Sequence, residues 1–161
     1  MNLIENKERI FSQVAQAMET ANRTDQVNVI AVTKYVGIDQ AKALVDTGVC
    51  HIGENRVDKF LEKYQALKVE GLTWHLIGSL QRRKVKEVIN YVDYFHALDS
   101  MKLAQEIQKR ASHPIKCFIQ VNISGEESKH GFAPEELDAI LPELEGLDNL
   151  QIVGLMTMAP F

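Results

Sequence analysis

The chain has 161 residues, of which 45% are hydrophobic and 25% are charged, and its formal net charge is −4. These values are typical of one folded domain and exclude a disordered chain. The weak negative charge gives no general attraction to nucleic acid or to anionic membranes, and no apolar stretch is long enough to cross a bilayer. We therefore expect a single domain over residues 1–161 with neither of these partners.

The N-terminal residues and the two cysteines indicate where the protein works. The N-terminus is charged from the start and has no apolar signal core, which favours a cytoplasmic protein. Cys50 and Cys117 lie too far apart for a CxxC redox pair or metal site. Both fall in apolar, strand-like segments, so we expect two buried, reduced thiols and no metal centre.

Apolar periodicity predicts helices and strands that alternate along the chain. An amphipathic helix comes first, with Ile10, Val14 and Met18 on one face. The predicted strands are 27–33, 49–52, 73–77, 91–96, 115–123 and 150–158. Between them, the spacing of apolar residues predicts helices at 39–46, 57–67, 81–90, 101–111 and 134–146.

This order of elements predicts an α/β fold with a parallel sheet and right-handed crossovers. No glycine-rich fingerprint follows the first strand, which argues against the dinucleotide-binding form of this architecture. A TIM-type (β/α)8 barrel is the better candidate, with about six of its βα units present in this chain.

The most informative single residue is Lys34, which directly follows the first predicted strand. In α/β barrels, the residues that follow the strands meet on the face that carries the chemistry. A lysine amine at that position can form a Schiff base with a carbonyl compound if burial lowers its pKa. The alternative is a solvated lysine at a strand end, and position alone does not decide between the two.

Other polar residues at the strand ends also allow two interpretations. Asn55 either contacts a ligand or caps the following helix. His75 lies inside an apolar strand, where a core histidine and a functional one are both plausible, and His96 and Asp99 fit a turn and a helix cap. A basic cluster is formed by Arg82, Arg83, Lys84 and Lys86, and its composition favours a solvated helix face. The polar loop 128–131 could cover a ligand, but its residue types favour an ordinary surface loop.

Specific strings of residues, in order along the chain, are more informative than composition. They follow predicted strands or lie in loops, at 31–34, 53–55, 74–78 with 80–81, 121–123, 128–131 and 154–158. Together they resemble the pyridoxal phosphate homeostasis proteins, also called the YggS or PROSC family. The resemblance extends from the first strand to residue 161.

The resemblance implies a fold similar to the N-terminal barrel of alanine racemase. It implies pyridoxal 5′-phosphate (PLP) as the cofactor, held as a Schiff base on the lysine matching Lys34. It also places Asn55 near the cofactor ring, and His75 and Met156 at positions lining the same pocket. Family members bind, buffer and deliver PLP in vitamin B6 homeostasis, and the resemblance implies no turnover and no catalytic residues.

The sequence departs from the family in two respects. The run Arg82–Lys84 is more basic than in many relatives, and family members continue beyond the position of Phe161. We therefore expect a barrel truncated at its C-terminal end, without the family's phosphate-binding loops. Six strands leave open sheet edges, from which we expect instability or self-association.

Three functions remain open from the sequence. The first is a PLP-binding homeostasis protein without turnover. The second is a PLP-dependent, racemase-like enzyme that uses Lys34. The third is an interaction module whose basic helix contacts a partner, with Lys34 incidental.

Overall fold

The computed structural model describes residues 2–126 and 130–160. The helices are α1 (Leu3–Thr20), α2 (Ile38–Asp46), α3 (Val57–Ala66), α4 (Val85–Val88), α5 (Met101–Arg110) and α6 (Leu137–Glu145). The strands are β1 (Ala31–Val32), β2 (His51–Glu54), β3 (Thr73–Leu76), β4 (Tyr94–Leu98), β5 (Ile115–Gln120) and β6 (Leu150–Met156). Short 3₁₀ turns occupy Arg82–Lys84, Ile89–Tyr91 and Pro134–Glu136.

The six strands form one parallel sheet in chain order, β1-β2-β3-β4-β5-β6. Each strand is joined to the next by a crossover containing a helix, as parallel pairing requires. Within the described residues β1 pairs only with β2 and β6 only with β5, so the sheet is open there. The architecture confirms the predicted partial barrel of six βα units.

One face of the sheet forms the hydrophobic core with the helices. Alternate strand residues point to this face, and the side chains of Ile52, Leu76, Phe95 and Ile119 are inaccessible to solvent. The residues between them point to the other face, which is the interior of the partial barrel. That interior is unusually polar for a parallel sheet, since it carries His51, His75, Tyr94, His96 and Lys116.

The first strand is shorter than predicted, because only residues 31 and 32 pair with β2. Ala31 pairs with Ile52, and β2 begins only one residue before that, at His51. Residues 27–29 therefore extend past the start of the neighbouring strand and have no β2 residue opposite them. The predicted strand over 27–33 is wrong in length but correct in position.

The predicted helix over 81–90 is broken into one short α-helical turn between two 3₁₀ turns. Val85, Val88 and Ile89 are fully buried, as their spacing predicts. All three are β-branched and lose side-chain freedom in a helix, which weakens a long regular helix at this point. Burial of these residues fixes the segment in place without requiring three continuous turns.

The two thiols differ in environment. Cys117 is buried in β5, and burial raises the pKa of its thiol to about 12. Cys50 is exposed just before β2, so the expectation of two buried thiols is wrong for this residue.

None of the helices in the described part of the chain combines the length and the apolar character needed to cross a bilayer.

Candidate functional site

A cavity of about 590 Å³ lies beyond the C-terminal ends of the strands. This is the end at which parallel α/β folds bind their ligands, and the volume suits a small organic molecule. The walls come from the first to the last strand of the sheet. They are formed by Lys34, Asn55, Ile77, Gly78, Ser79, Ala97, Gln120, His130, Met156, Met158 and Ala159.

Lys34 lies in a tight turn directly after β1. The amide of Val36 donates to the carbonyl oxygen of Thr33 at 3.2 Å, which closes the turn around Lys34. The side chain lines the cavity and is exposed, and its Nζ lies 5.1 Å from the ring centroid of Tyr35. The amine is therefore not shielded from solvent in the described structure.

Asn55 enters the cavity from the end of β2. Helix α3 has Arg56 at its N-cap with no side-chain capping bond, so Asn55 does not act as the cap of that helix. The main chain of Asn55 packs tightly against Gly78, which follows β3. A Cβ atom at residue 78 would lie only 2.3 Å from the carbonyl oxygen of Asn55. Glycine at position 78 is thus what lets the two strand ends approach each other.

Met156 closes the opposite side of the cavity, at the end of β6. It pairs with Gln120 of β5, and both residues line the cavity together with Met158. Thioether side chains are adaptable and fit well against aromatic rings. This wall is therefore suited to the flat face of a ring.

His75 does not line this cavity, contrary to its expected position. It lies in the barrel interior, closer to the N-terminal ends of the strands than the cavity does. There it belongs to a row of three imidazoles that crosses β2, β3 and β4. Its Nε2 lies 2.9 Å from Nδ1 of His51, and its Nδ1 lies 2.9 Å from Nε2 of His96. Its ring stacks on Tyr94 with 4.7 Å between centroids. Side chains two residues apart on a strand share a face, so Ile77 occupies the next layer up and reaches the cavity instead.

The row of histidines makes the stability of the fold dependent on pH. Burial, together with the neighbouring imidazoles of His96 and His51, lowers the pKa of His75 to about 3. Burial also lowers the pKa of His96. An unfolded histidine titrates near 6.5, so below that pH the unfolded chain binds more protons than the folded chain.

We therefore expect the free energy of unfolding to fall as the pH decreases from about 6.5 toward 3. Each such histidine contributes a slope of at most about 1.4 kcal/mol per pH unit. Urea unfolding of wild type and His75→Gln at several pH values measures the difference in slope. His113→Gln, which changes an exposed histidine, should keep the wild-type slope. Equal slopes for His75→Gln and wild type would contradict this explanation.

Two cavity residues, Gln120 and His130, were not singled out from the sequence as binding residues. Gln120 ends β5, and its side-chain amide donates to the carbonyl oxygen of His130 at 3.3 Å. His130 belongs to the loop thought able to cover a ligand, whereas Ser128 and Lys129 of that loop lie outside the described residues. Nδ1 of His130 lies 3.7 Å from Asp99, and burial raises the pKa of Asp99. The position of Gln120 at the end of a strand was the available signal.

In residues 2–126 and 130–160, no group of histidine, cysteine, aspartate or glutamate residues is arranged to hold a metal ion. The basic residues Arg82 and Arg83 are exposed and lie outside the lining of the cavity. The polar groups that line the cavity are therefore one amine, two amides, the hydroxyl group of Ser79 and the imidazole of His130.

Comparisons with known proteins agree with this geometry. Residues 6–161 match the family described as "Alanine racemase, N-terminal domain". Alanine racemase of Clostridium difficile 630 has the same fold with a TM-score of 0.68, at 20% identity over 84% of this chain and 37% of that one. The fold and this match place the chain in the class of alanine racemase N-terminal domains.

Within that class, more similar proteins define the family. A pyridoxal phosphate homeostasis protein of Aquifex aeolicus (strain VF5) is 38% identical over 100% of this chain and 72% of its own length. Its counterpart in Synechocystis sp. is 33% identical over 94% of this chain and 71% of its own length. PipY of Synechococcus elongatus PCC7942, solved with PLP bound, superposes with a TM-score of 0.83 at 30% identity, covering 99% of this chain and 71% of PipY. The chain belongs to the pyridoxal phosphate homeostasis protein family, which confirms the resemblance noted in its sequence.

Proposed function

We propose that this chain binds PLP at the strand-end cavity, with Lys34 as the bonding residue, and serves PLP homeostasis. The observation that carries the proposal is a primary amine lining a cavity of about 590 Å³ beyond the ends of parallel strands. PLP supplies an aldehyde, which condenses with a lysine amine to a Schiff base with loss of water. The PLP-bound structure of PipY, a similar protein, supports the choice of cofactor.

The residues around Lys34 fit this cofactor. Ile77 and Met156 offer apolar surface to a pyridine ring, and the amide of Asn55 offers a donor and an acceptor at its edge. Gly78 and Ser79 complete the lining next to Asn55, and the hydroxyl group of Ser79 offers a further donor and acceptor. We assign binding roles to Lys34, Asn55 and Met156, and we give His75 no direct contact because it lies below the cavity.

The direct test is reduction with borohydride in the presence of PLP, followed by mass mapping of the peptides. We expect the pyridoxyl label on the peptide containing Lys34. Lys42 provides an internal control, since it is exposed on α2 only eight residues further along the chain. A label on Lys42 or another lysine, with none on Lys34, would contradict the assignment.

We also propose that the chain holds and releases PLP without turnover of an amino acid. Membership of the homeostasis family supports this. Exchange of the α-proton of alanine with solvent deuterium, measured by NMR with PLP-loaded protein, separates a carrier from a racemase-like enzyme. We expect no exchange above that of free PLP.

We place the protein in the cytoplasm, which is supported by two cysteines that form no disulfide.

Finally, we propose that the open sheet favours self-association. In the described residues, β1 and β6 each pair on one side only, and Leu155 of β6 is an exposed large apolar residue. Light scattering after size exclusion should show dimers or larger species whose fraction increases with concentration. Leu155→Lys should shift the distribution toward monomer, because a charge opposes pairing at an edge. A wild-type chain that is monomeric at every concentration would contradict the proposal.

A further inference from the structure

A buried ion pair lies directly behind the cavity, on the core side of β1 and β2. Lys63 of α3 and Glu54 of β2 have side chains only 2% and 0% exposed, and their charged atoms are 2.6 Å apart. The ammonium group of Lys63 also donates to the carbonyl oxygen of Thr33 at 2.5 Å. The hydroxyl group of Thr33 donates to the same carboxylate oxygen of Glu54 that Lys63 contacts, also at 2.5 Å. Three elements are thereby joined at one point.

A buried ion pair stabilises a core inefficiently, because the free energy of desolvating both charges opposes their attraction. Removing two charges from water costs several kcal/mol each, and apolar residues of similar size often stabilise as well or better. The other carboxylate oxygen of Glu54 is buried with no hydrogen-bond partner in the described residues, which adds to the cost. By contrast, the Arg56–Asp58 and Lys59–Glu62 pairs of the same region are exposed. The buried pair therefore calls for a role beyond general stability.

Its contacts fall on the two main-chain segments that carry cavity residues. The carbonyl oxygen of Thr33 belongs to the peptide group that continues into Lys34. It accepts one bond from Lys63 and a second from the amide of Val36, at 3.2 Å. With two donors on one oxygen, the orientation of this peptide group is fixed.

On the second strand, the network is attached through the side chain of Glu54. It directly precedes Asn55, and its carbonyl oxygen accepts from the amide of Ile77 at 2.9 Å. Neighbouring residues of a strand point to opposite faces. Because the carboxylate of Glu54 points to the hydrophobic core, the side chain of Asn55 lies on the cavity side. One network thus fixes the residues on which both Lys34 and Asn55 depend.

We propose that the Lys63–Glu54–Thr33 network is a positioning device that holds Lys34 and Asn55 in the geometry needed to capture PLP. The inference rests on the proposed function, because it concerns the same cavity. None of the three residues lines the cavity, so they act through their neighbours and not on the cofactor. Holding reactive groups in place before binding lowers the cost of reaching the productive geometry.

The test measures PLP capture in two steps by stopped-flow absorbance. The initial binding is read as a saturating concentration dependence, and covalent capture is read as the first-order rate at saturation. Lys63→Met should slow the first-order step by about tenfold or more while changing the initial binding less, because misplacement of a reacting group affects the reaction most. Lys59→Met, on the same helix but exposed, is the matched control and should retain the wild-type rate.

A second comparison covers the case in which Lys63→Met does not fold. Thr33→Val removes the hydroxyl group and keeps the shape, whereas Thr33→Ser keeps the hydroxyl group. Circular dichroism establishes that each variant is folded before its rate is compared. We expect Thr33→Val to slow the first-order step about fivefold or more relative to Thr33→Ser.

A readout without the cofactor completes the design. Amide hydrogen exchange of Val36, whose donor bond closes the turn at Lys34, should accelerate in Lys63→Met and Thr33→Val but not in Lys59→Met. If the folded network variants capture PLP at the rates of their controls, the inference is overturned and the proposed function stands. If wild type itself carries no label on Lys34 after borohydride reduction, the proposed function fails, and the inference fails with it.

Discussion

Lys34→Ala should abolish the absorbance band of the Schiff base and the borohydride label, and PLP should no longer remain bound through gel filtration. The cavity keeps its other walls, so weak non-covalent binding persists. We expect the apparent affinity for PLP to fall about 100-fold or more, equivalent to about 2.7 kcal/mol. Equilibrium dialysis and absorbance titration measure the loss.

The control for this experiment is Lys42→Ala. Lys42 is also exposed and lies on the helix that follows β1, but it does not line the cavity. We expect it to bind PLP like wild type, and both variants to unfold at wild-type denaturant concentrations. A Lys34→Ala protein that still forms the absorbance band would assign the chemistry to another lysine.

Gly78→Ala should disrupt the cavity with the smallest possible change in composition. The added methyl group would lie 2.3 Å from the carbonyl oxygen and 2.9 Å from Cβ of Asn55. Main-chain atoms cannot rotate away as a side chain can, so β2 and β3 must separate at their ends. Overpacking of this kind typically costs about 1–3 kcal/mol, and we expect PLP affinity to fall in addition because Asn55 moves.

Gly37→Ala is the matched glycine control. No atom lies within 4 Å of a Cβ at that position, and its φ of −84° suits any residue. As Gly37 is the N-cap of α2, a cost of about 1 kcal/mol at most is expected there. If Gly78→Ala binds PLP and unfolds like Gly37→Ala, the close approach of residues 55 and 78 is needed neither for PLP binding nor for stability.

Much of the fold was accessible from sequence because each βα unit repeats the same local pattern. The strands around Cys117 and Trp74 and the helix that Ser100 caps are found close to their predicted positions. Strand ends were less predictable, because pairing decides them. The length of β1 depends on where its partner begins, and the turns on either side of α4 depend on how Val85 and Val88 pack in the core.

The cavity was predictable to the extent that strand ends converge. Lys34, Asn55 and Met156 all follow or end strands, and the structure brings them to one cavity. The structure places His75 one layer away from this cavity, and the resemblance gave no information on the layer of the interior in which a side chain lies. The Lys63–Glu54 pair was missed, since residues nine positions apart on a strand and a helix give no local signal. Its detection needs the packing of α3 on β2.

The order of the strands has a mechanical consequence for the cavity. Lys34 follows the first strand and Met156 ends the last, so the two walls lie at opposite margins of the described sheet. The distance between them is set by the accumulated twist across every intervening strand pair. A small flattening at each pair adds up to a wide opening, whereas tighter coiling draws the margins together. The width of the cavity mouth is thus coupled to the curvature of the whole sheet.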